Sequence, residues 1–316
     1  MDALLAFWDG AFGSSFALWS ATFVRATPLL FVGLAVALAF RAGVLNIGAE
    51  GQLLIGALAA SVVALSLGTA GRLVVLPSLL AAGALGGAFW AAIAALLRRR
   101  FGVLEVISTI MLNFVAAAVL SWAVRGPLQE PTRVYPQSLT FAEAARLPFL
   151  IPGQRLHFGF VLALLAAAAL WFVLARTAVG FRLRAVGASP SAAASAGGVD
   201  AERLAARAFV VSGALAGLAG ASQVAGVTWA LYEGISPGHG YTAIAVALLA
   251  RLDPRWVVAS ALFFGALEAG GAAMQREAGI PLVAVQVVTA VVLLAVLAAD
   301  RWRRGKFMPG LEGDGA

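Results

Sequence analysis

The chain has no cysteine, two histidines, one lysine and little charge of either sign. Without cysteine there can be no disulfide and no thiolate metal site, and His157 and His239 alone cannot build a metal cage. The lone Lys306 lacks the upstream glycine spacing of a phosphate-binding loop, so no nucleotide site is visible. Neither a G-x-S-x-G elbow nor a paired-histidine motif is present. No catalytic cluster and no cofactor is therefore expected. If ATP energy drives this protein, the ATPase is a separate chain.

What the sequence does hold is apolar. It is 62% hydrophobic and 12% charged, with a mean hydropathy of +0.94, whereas soluble domains run nearer half apolar and a quarter charged. The composition defines an all-α, polytopic membrane protein. Runs long enough to cross ~30 Å of hydrocarbon lie near 27–41, 52–69, 73–97, 104–124, 158–175, 205–227, 256–274 and 280–299. A shorter run, 241–252, gives roughly 18 Å as a helix and spans only if the preceding segment helps. About nine spans are expected. Residues 1–26 mix Trp8, Asp9, Trp19 and Arg25 with apolar residues and read as an interfacial segment. They carry no basic n-region at their start, so no cleavable signal peptide is expected.

The net charge of +7 would admit nucleic acid as a partner, but the arginines fall beside apolar runs, as topology-setting residues do. Placing Arg98, Arg99 and Arg100 in the cytoplasm puts 15 positive residues inside and seven outside. The positive-inside rule then places loop 176–206 and the tail 301–316 in the cytoplasm, and loop 125–157 and the N-terminus outside. The membrane-spanning core is 27–300.

An internal echo links "NIGAEGQLLIGALAA" (46–60) to "SPGHGYTAIAVALLA" (236–250), and "RLVV" (72–75) to "RWVV" (255–258). In this topology the corresponding spans run in opposite directions. An inverted repeat with a glycine-broken segment in each half is the pattern of transporters. Span 158–175 has no counterpart in the first half.

The stretch "RAGVLNIGAEGQ" (41–52) sets an acid and three glycines between apolar runs. Non-helical backbone at membrane depth is tolerated only where protein or water satisfies it. Two readings stay open: a helix break lining an aqueous path, or an ordinary cytoplasmic turn with Arg41 at the interface. "SPGHGY" (236–241) reads as a surface loop. Within spans, Ser108, Thr109, Asn113, Gln223, Glu268 and Gln286 stand out, and Glu268 is the costliest to place, which favours a protein-facing position. Gly83, Gly86, Gly87, Gly213, Gly217 and Gly220 mark close helix packing.

Loop 176–206 encodes a short helix. Ser189 is a good N-cap, Pro190 suits the first helical position, alanines follow, and Gly197-Gly198 stops it. Capping at both ends of a small, uncharged middle suggests docking to another protein.

"FRAGVLNIGAEGQLLIGALAA" (40–60), "GVLEVISTIMLNFVA" (102–116), "LRAVGASPSAAASAGG" (183–198) and "GHGYTAIAVALLARLDP" (238–254) together resemble the membrane permease subunits of bacterial ABC importers. The kinship is with the nucleoside and simple-sugar branch, related to ribose and branched-chain amino acid permeases, and covers about residues 10–300. The resemblance implies that 189–197 is the coupling helix, with Gly187, Ser189, Pro190, Ala193, Ala194 and Gly197 at the ATPase. It implies a second permease subunit, two ATPase subunits, an extracytoplasmic binding protein and a place in the bacterial cytoplasmic membrane. Breaks at 46–52 and 105–113 would border the path, with Asn46, Glu50, Gln52, Ser108, Thr109 and Asn113 as polar contacts for a nucleoside or sugar. Such permeases usually carry one more N-terminal span than this chain holds; either its start is misplaced or that span is dispensable. A secondary transporter would explain the repeat and Glu268 but not the capped helix. A membrane enzyme would need a catalytic cluster.

Overall fold

The computed structural model describes residues 3–68, 70–197 and 200–281, together with 287, 290, 291, 294 and 295. The expected span at 280–299 lies largely outside these residues, and the tail 301–316 lies wholly outside them.

The described chain is helical. In order, the helices are α1 (Ala3–Ala11), α2 (Ala17–Arg41, its first turn of π type), α3 (Ala49–Ser66), α4 (Arg72–Phe101), α5 (Glu105–Arg125), α6 (Gly159–Arg176), α7 (Ala178–Ala188), α8 (Pro190–Gly197), α9 (Ala201–Gln223, continued by a π turn to Thr228), α10 (His239–Leu249) and α11 (Pro254–Glu277). Seven of these, α2, α3, α4, α5, α6, α9 and α11, are long and apolar enough to cross a membrane. The first of them starts at Ala17, ten residues before the apolar run that announced it. Asp9 and Trp8 belong to α1, but the segment holding Trp19 and Arg25 is continuous with the span.

α2 forms the centre. It is apolar on every side, and residues 26–39 are buried against α9, α10, α11 and α6. A helix with no polar face has to be surrounded, by protein or by lipid. Around it, α3, α4 and α9 cross closely. Gly83 and Gly87 on α4 and Gly213 and Gly217 on α9 are each spaced four apart, and a Cβ on any of them would meet backbone or Cβ atoms of the partner helix. Gly56 on α3 meets the backbone of Gly217 in the same way. Small residues at this spacing let backbones approach where lipid supplies no hydrophobic drive between helices. On the periphery, α4 and α5 keep Leu85, Phe89, Leu96, Phe114 and Trp122 exposed, which suits a lipid-facing surface.

One end of the bundle is closed by segment 126–158, which folds back on the chain instead of looping freely. Ser138 N donates to Leu231 O at 2.8 Å, Phe141 N to Trp229 O at 2.7 Å and Leu147 N to Ala225 O at 2.9 Å. Glu233 pins the facing turn to α5: it accepts from Arg125 Nη2 at 2.6 Å and from the Ser121 hydroxyl. These bonds, Arg125 foremost, hold the Glu233 carboxyl down to about 2.

Candidate translocation site

α2 ends at Arg41, and Gly43 just beyond it has a φ of +76°, open to glycine at little cost. The chain then runs without regular structure through Asn46 before α3 begins at Ala49. This is the stretch that admitted two readings, and the structure places it inside the bundle. Asn46 is fully buried, Gln52 is 1% exposed and Glu50 is 7% exposed.

Irregular backbone at such a position needs partners, and the polar side chains supply them. Asn46 Nδ2 donates to Gln52 Oε1 at 2.9 Å and to Ser212 Oγ on α9 at 2.7 Å, while its Oδ1 accepts from Gly48 N and Gln52 Nε2, both at 3.1 Å. Every hydrogen-bonding position of that amide is occupied. Asn113 on α5 reaches across to the same break. Its Oδ1 accepts from Gly51 N at 2.8 Å, and its Nδ2 donates to Ile47 O at 3.0 Å and Tyr241 Oη at 3.2 Å. Gly51 N is one of the amides that a helix start leaves without an internal partner.

The other break joins it there. α10 starts at His239, and its 11 residues reach only ~16 Å, about half a bilayer. Within "SPGHGY" Pro237 and Tyr241 are exposed, as a surface loop would have them, but His239 is 4% exposed and Gly240 is buried, so the segment also delivers a helix N-terminus into the bundle. Glu50 Oε2 accepts from Gly240 N at 2.6 Å. The far end of α10 is held by Arg41, which donates from Nε to Leu252 O at 3.2 Å and from Nη2 to Arg251 O at 3.1 Å. Both acceptor residues have positive φ. Arg41 therefore binds the turn between α10 and α11.

Of the six polar residues named from sequence, five gather around the start of α3: Asn46, Glu50, Gln52, Asn113 and Thr109. Thr109 packs against Gly48 and donates its hydroxyl to Glu105 O at 2.6 Å. Ser108, also buried, bonds only within its own helix, to Glu105 O at 3.1 Å. Ser212, Gly240 and Tyr241 complete the cluster and were not singled out. Tyr241 and Gly240 lie in one of the quoted motifs, so a signal existed; Ser212 had none.

The helix expected in loop 176–206 is present as α8. Ser189 caps it, its Oγ accepting from Ala192 N at 3.3 Å, and Pro190 opens it. Pro190 and Ala194 are exposed, whereas Ala193 is half-buried and packs toward the bundle. Gly187, in α7 just before, abuts the backbone of Arg41. Gly197 ends the helix. α8 is thereby tied through α7 to the residue that starts the break.

Long apolar helices, two broken helices meeting inside the bundle and a capped helix on a connector define a multi-pass helical membrane protein. The chain belongs to the family described as branched-chain amino acid transport system / permease component, which matches residues 18–297. It is 38% identical over 291 residues to the glucose ABC transporter permease protein TsgB13 of Haloferax volcanii, covering 89% of this chain and 76% of that one. It is 38% identical over 313 residues to the guanosine ABC transporter permease protein NupP of Bacillus subtilis, covering 95% and 87%. To the nucleoside ABC transporter permease protein NupB of Lactococcus lactis it is 31% identical over 279 residues, covering 85% and 76%. No solved structure matches. A permease of an ABC importer works with ATPase and binding-protein partners.

Proposed function

We propose that this permease moves a nucleoside, or else a simple sugar, delivered by an extracytoplasmic binding protein, across a bacterial cytoplasmic membrane. The observation that carries the transport mechanism is the meeting of α3 and α10, two helices whose buried starts face each other through Glu50 and Gly240. Broken helix pairs of this kind sit at the interface of inverted repeats. The halves would be 27–125 and 201–300, related as the echo between 46–60 and 236–250 suggests. In this reading α8 is the coupling helix in an ATPase cleft, the path runs beside Asn46, Glu50, Gln52, Ser108, Thr109 and Asn113, and a second permease subunit completes it. The C-terminus is cytoplasmic, segment 126–158 is extracytoplasmic, and residues 1–16 lie along the membrane interface. The proposed path has no ring of like charges of the kind that selects ions, which supports an uncharged polar solute.

The substrate class rests on the relatives, whose names give guanosine, nucleosides and glucose, although the family's description gives branched-chain amino acids. Uptake of radiolabelled guanosine, glucose and leucine by the reconstituted complex tests it. ATP-dependent uptake of guanosine or glucose is expected. Uptake of leucine alone overturns the substrate, and uptake driven by a proton or sodium gradient without ATP overturns the mechanism.

A further inference from the structure

The polar side chains around the start of α3 are used up by the chain itself. A second group is not. A cavity of about 580 Å³ opens at the end of the bundle capped by segment 126–158, between α2, the end of α9, the start of α10 and α11. That volume lies within the ~300–1,000 Å³ usual for small-molecule sites. Gln223, Trp229, Tyr232 and Glu268 line it. Gln223 and Tyr232 make no side-chain hydrogen bond among the described residues, and neither residue is fully buried. Glu268 makes no hydrogen bond among the described residues, and His239 Nδ1 at 3.7 Å is too far for a direct one. An acid in a span is expensive to place, yet this one is left with acceptor capacity free and its side chain 24% exposed.

We propose that this cavity is a solute-binding site of the permease itself, taking a neutral ring compound with adjacent hydroxyl groups. The two oxygens of a carboxylate accept from two neighbouring hydroxyls at once, and Gln223 offers both a donor and an acceptor beside them. Trp229 and the exposed Tyr232 add aromatic surface to the lining, against which a planar base or the apolar face of a sugar ring packs; Arg146 covers the Trp229 ring from one side at 4.8 Å. Arg25 also lines the cavity and interacts with Glu268 through its charge. Arg155 lines it too, giving two arginines to one carboxylate, so the site has no negative field that would favour a cation. Ribose in a nucleoside and a hexose share this chemistry. The solute class rests on the transport reading above, whereas the site does not.

The assembled importer, with its ATPase and binding protein, provides the test. Because the chain has no cysteine, Tyr232→Cys introduces a single thiol into it. Guanosine, glucose or both should slow maleimide labelling at 232 several-fold, leave labelling of a Leu139→Cys control unchanged, and lose that protection when Glu268→Gln is added. Val227→Cys, also on the cavity lining, serves as a second probe should the first assemble poorly. Protection by guanosine alone assigns a nucleoside, by glucose alone a sugar. No protection by either solute, or equal slowing at 139, overturns the site even where uptake is normal. Protection without uptake would instead count against the transport reading and leave the site standing.

Discussion

Glu50 and Gly240 lie 190 residues apart in sequence, yet a carboxylate oxygen of the first accepts from the amide of the second at 2.6 Å. A Cβ on Gly240 would collide with the backbone of Glu50, so the two helix starts touch because residue 240 has no side chain. The carboxylate also sits at the positive end of α10.

These contacts rank three substitutions. Gly240→Ala forces the starts of α3 and α10 apart and should give the lowest folded yield. Glu50→Ala leaves the Gly240 amide unpaired in a buried place, at ~1–3 kcal/mol. Glu50→Gln keeps an acceptor oxygen and loses only the charge, at ~0.5–2 kcal/mol. Thermal unfolding in detergent checks the order. Equal stability of Glu50→Ala and the parent would show that the latch contributes nothing.

Asn113 distinguishes a framework role from a solute contact. It satisfies Gly51 N and Ile47 O and meets Tyr241. Asn113→Ala leaves buried partners unmet, at ~1–3 kcal/mol for each group. A fall in melting temperature that matches the fall in uptake marks the framework. Lost uptake with unchanged stability would place Asn113 at the solute.

α8 offers a contrast within one turn. Ala194 is exposed and Ala193 is packed inward. If the exposed face seats in an ATPase, Ala194→Asp buries an unpaired charge there, which is strongly unfavourable. ATP hydrolysis coupled to uptake should collapse while membrane insertion stays normal. Coupling that survives Ala194→Asp removes this face from the mechanism.

Orientation can be read with thiol reagents. Ser138 makes a poor reporter, being 1% exposed with its hydroxyl accepting from Leu231 N at 2.9 Å. Leu139 next to it is 52% exposed. Leu139→Cys should label in intact cells with an impermeant reagent, and Gly313→Cys only after permeabilisation. The reverse pattern would invert the proposed topology.

The parts of this protein legible in sequence are those that local rules encode. Hydropathy marked the long helices, the glycines near 83–87 and 213–220 marked close helix packing though not which helices meet, and Ser189-Pro190 marked α8. The clustering of polar residues near 46–52 was visible too, but not their partners. Asn46 pairs with Ser212 across 166 residues, and no periodicity links such positions. Glu268 and Gln223 were conspicuous as polar residues in spans, but the cavity they share is made by five separate segments. The length of α10 was legible, but the burial of its first turn was not, because glycine, serine and proline before it carry the same signal in a surface loop.

His157 gives the pH dependence of stability. It sits between two glycines, Gly159 and Gly226, where added Cβ atoms would strike the imidazole. Gly159 N donates to its Nδ1 at 3.2 Å, which leaves the ring proton on Nε2, buried with no partner among the described residues. Burial disfavours the charged form and pushes His157 from its ordinary 6.5 down to about 4. Unfolded chains therefore bind a proton between those values that the folded protein refuses. Stability is fully present above about pH 6.5, falls as pH is lowered toward 4, and levels off below, for a total on the order of 3 kcal/mol. Glu233, held near 2, gives up its own contribution only below its ordinary 4.5, so it barely overlaps this window. His157→Gln removes the titrating group. Melting temperatures recorded from pH 7.5 to 4.5 should fall steeply for the parent and less steeply for the variant, which starts lower because its side chain fills the slot less well. Parallel slopes in the two proteins would mean that His157 takes up its proton without leaving its slot.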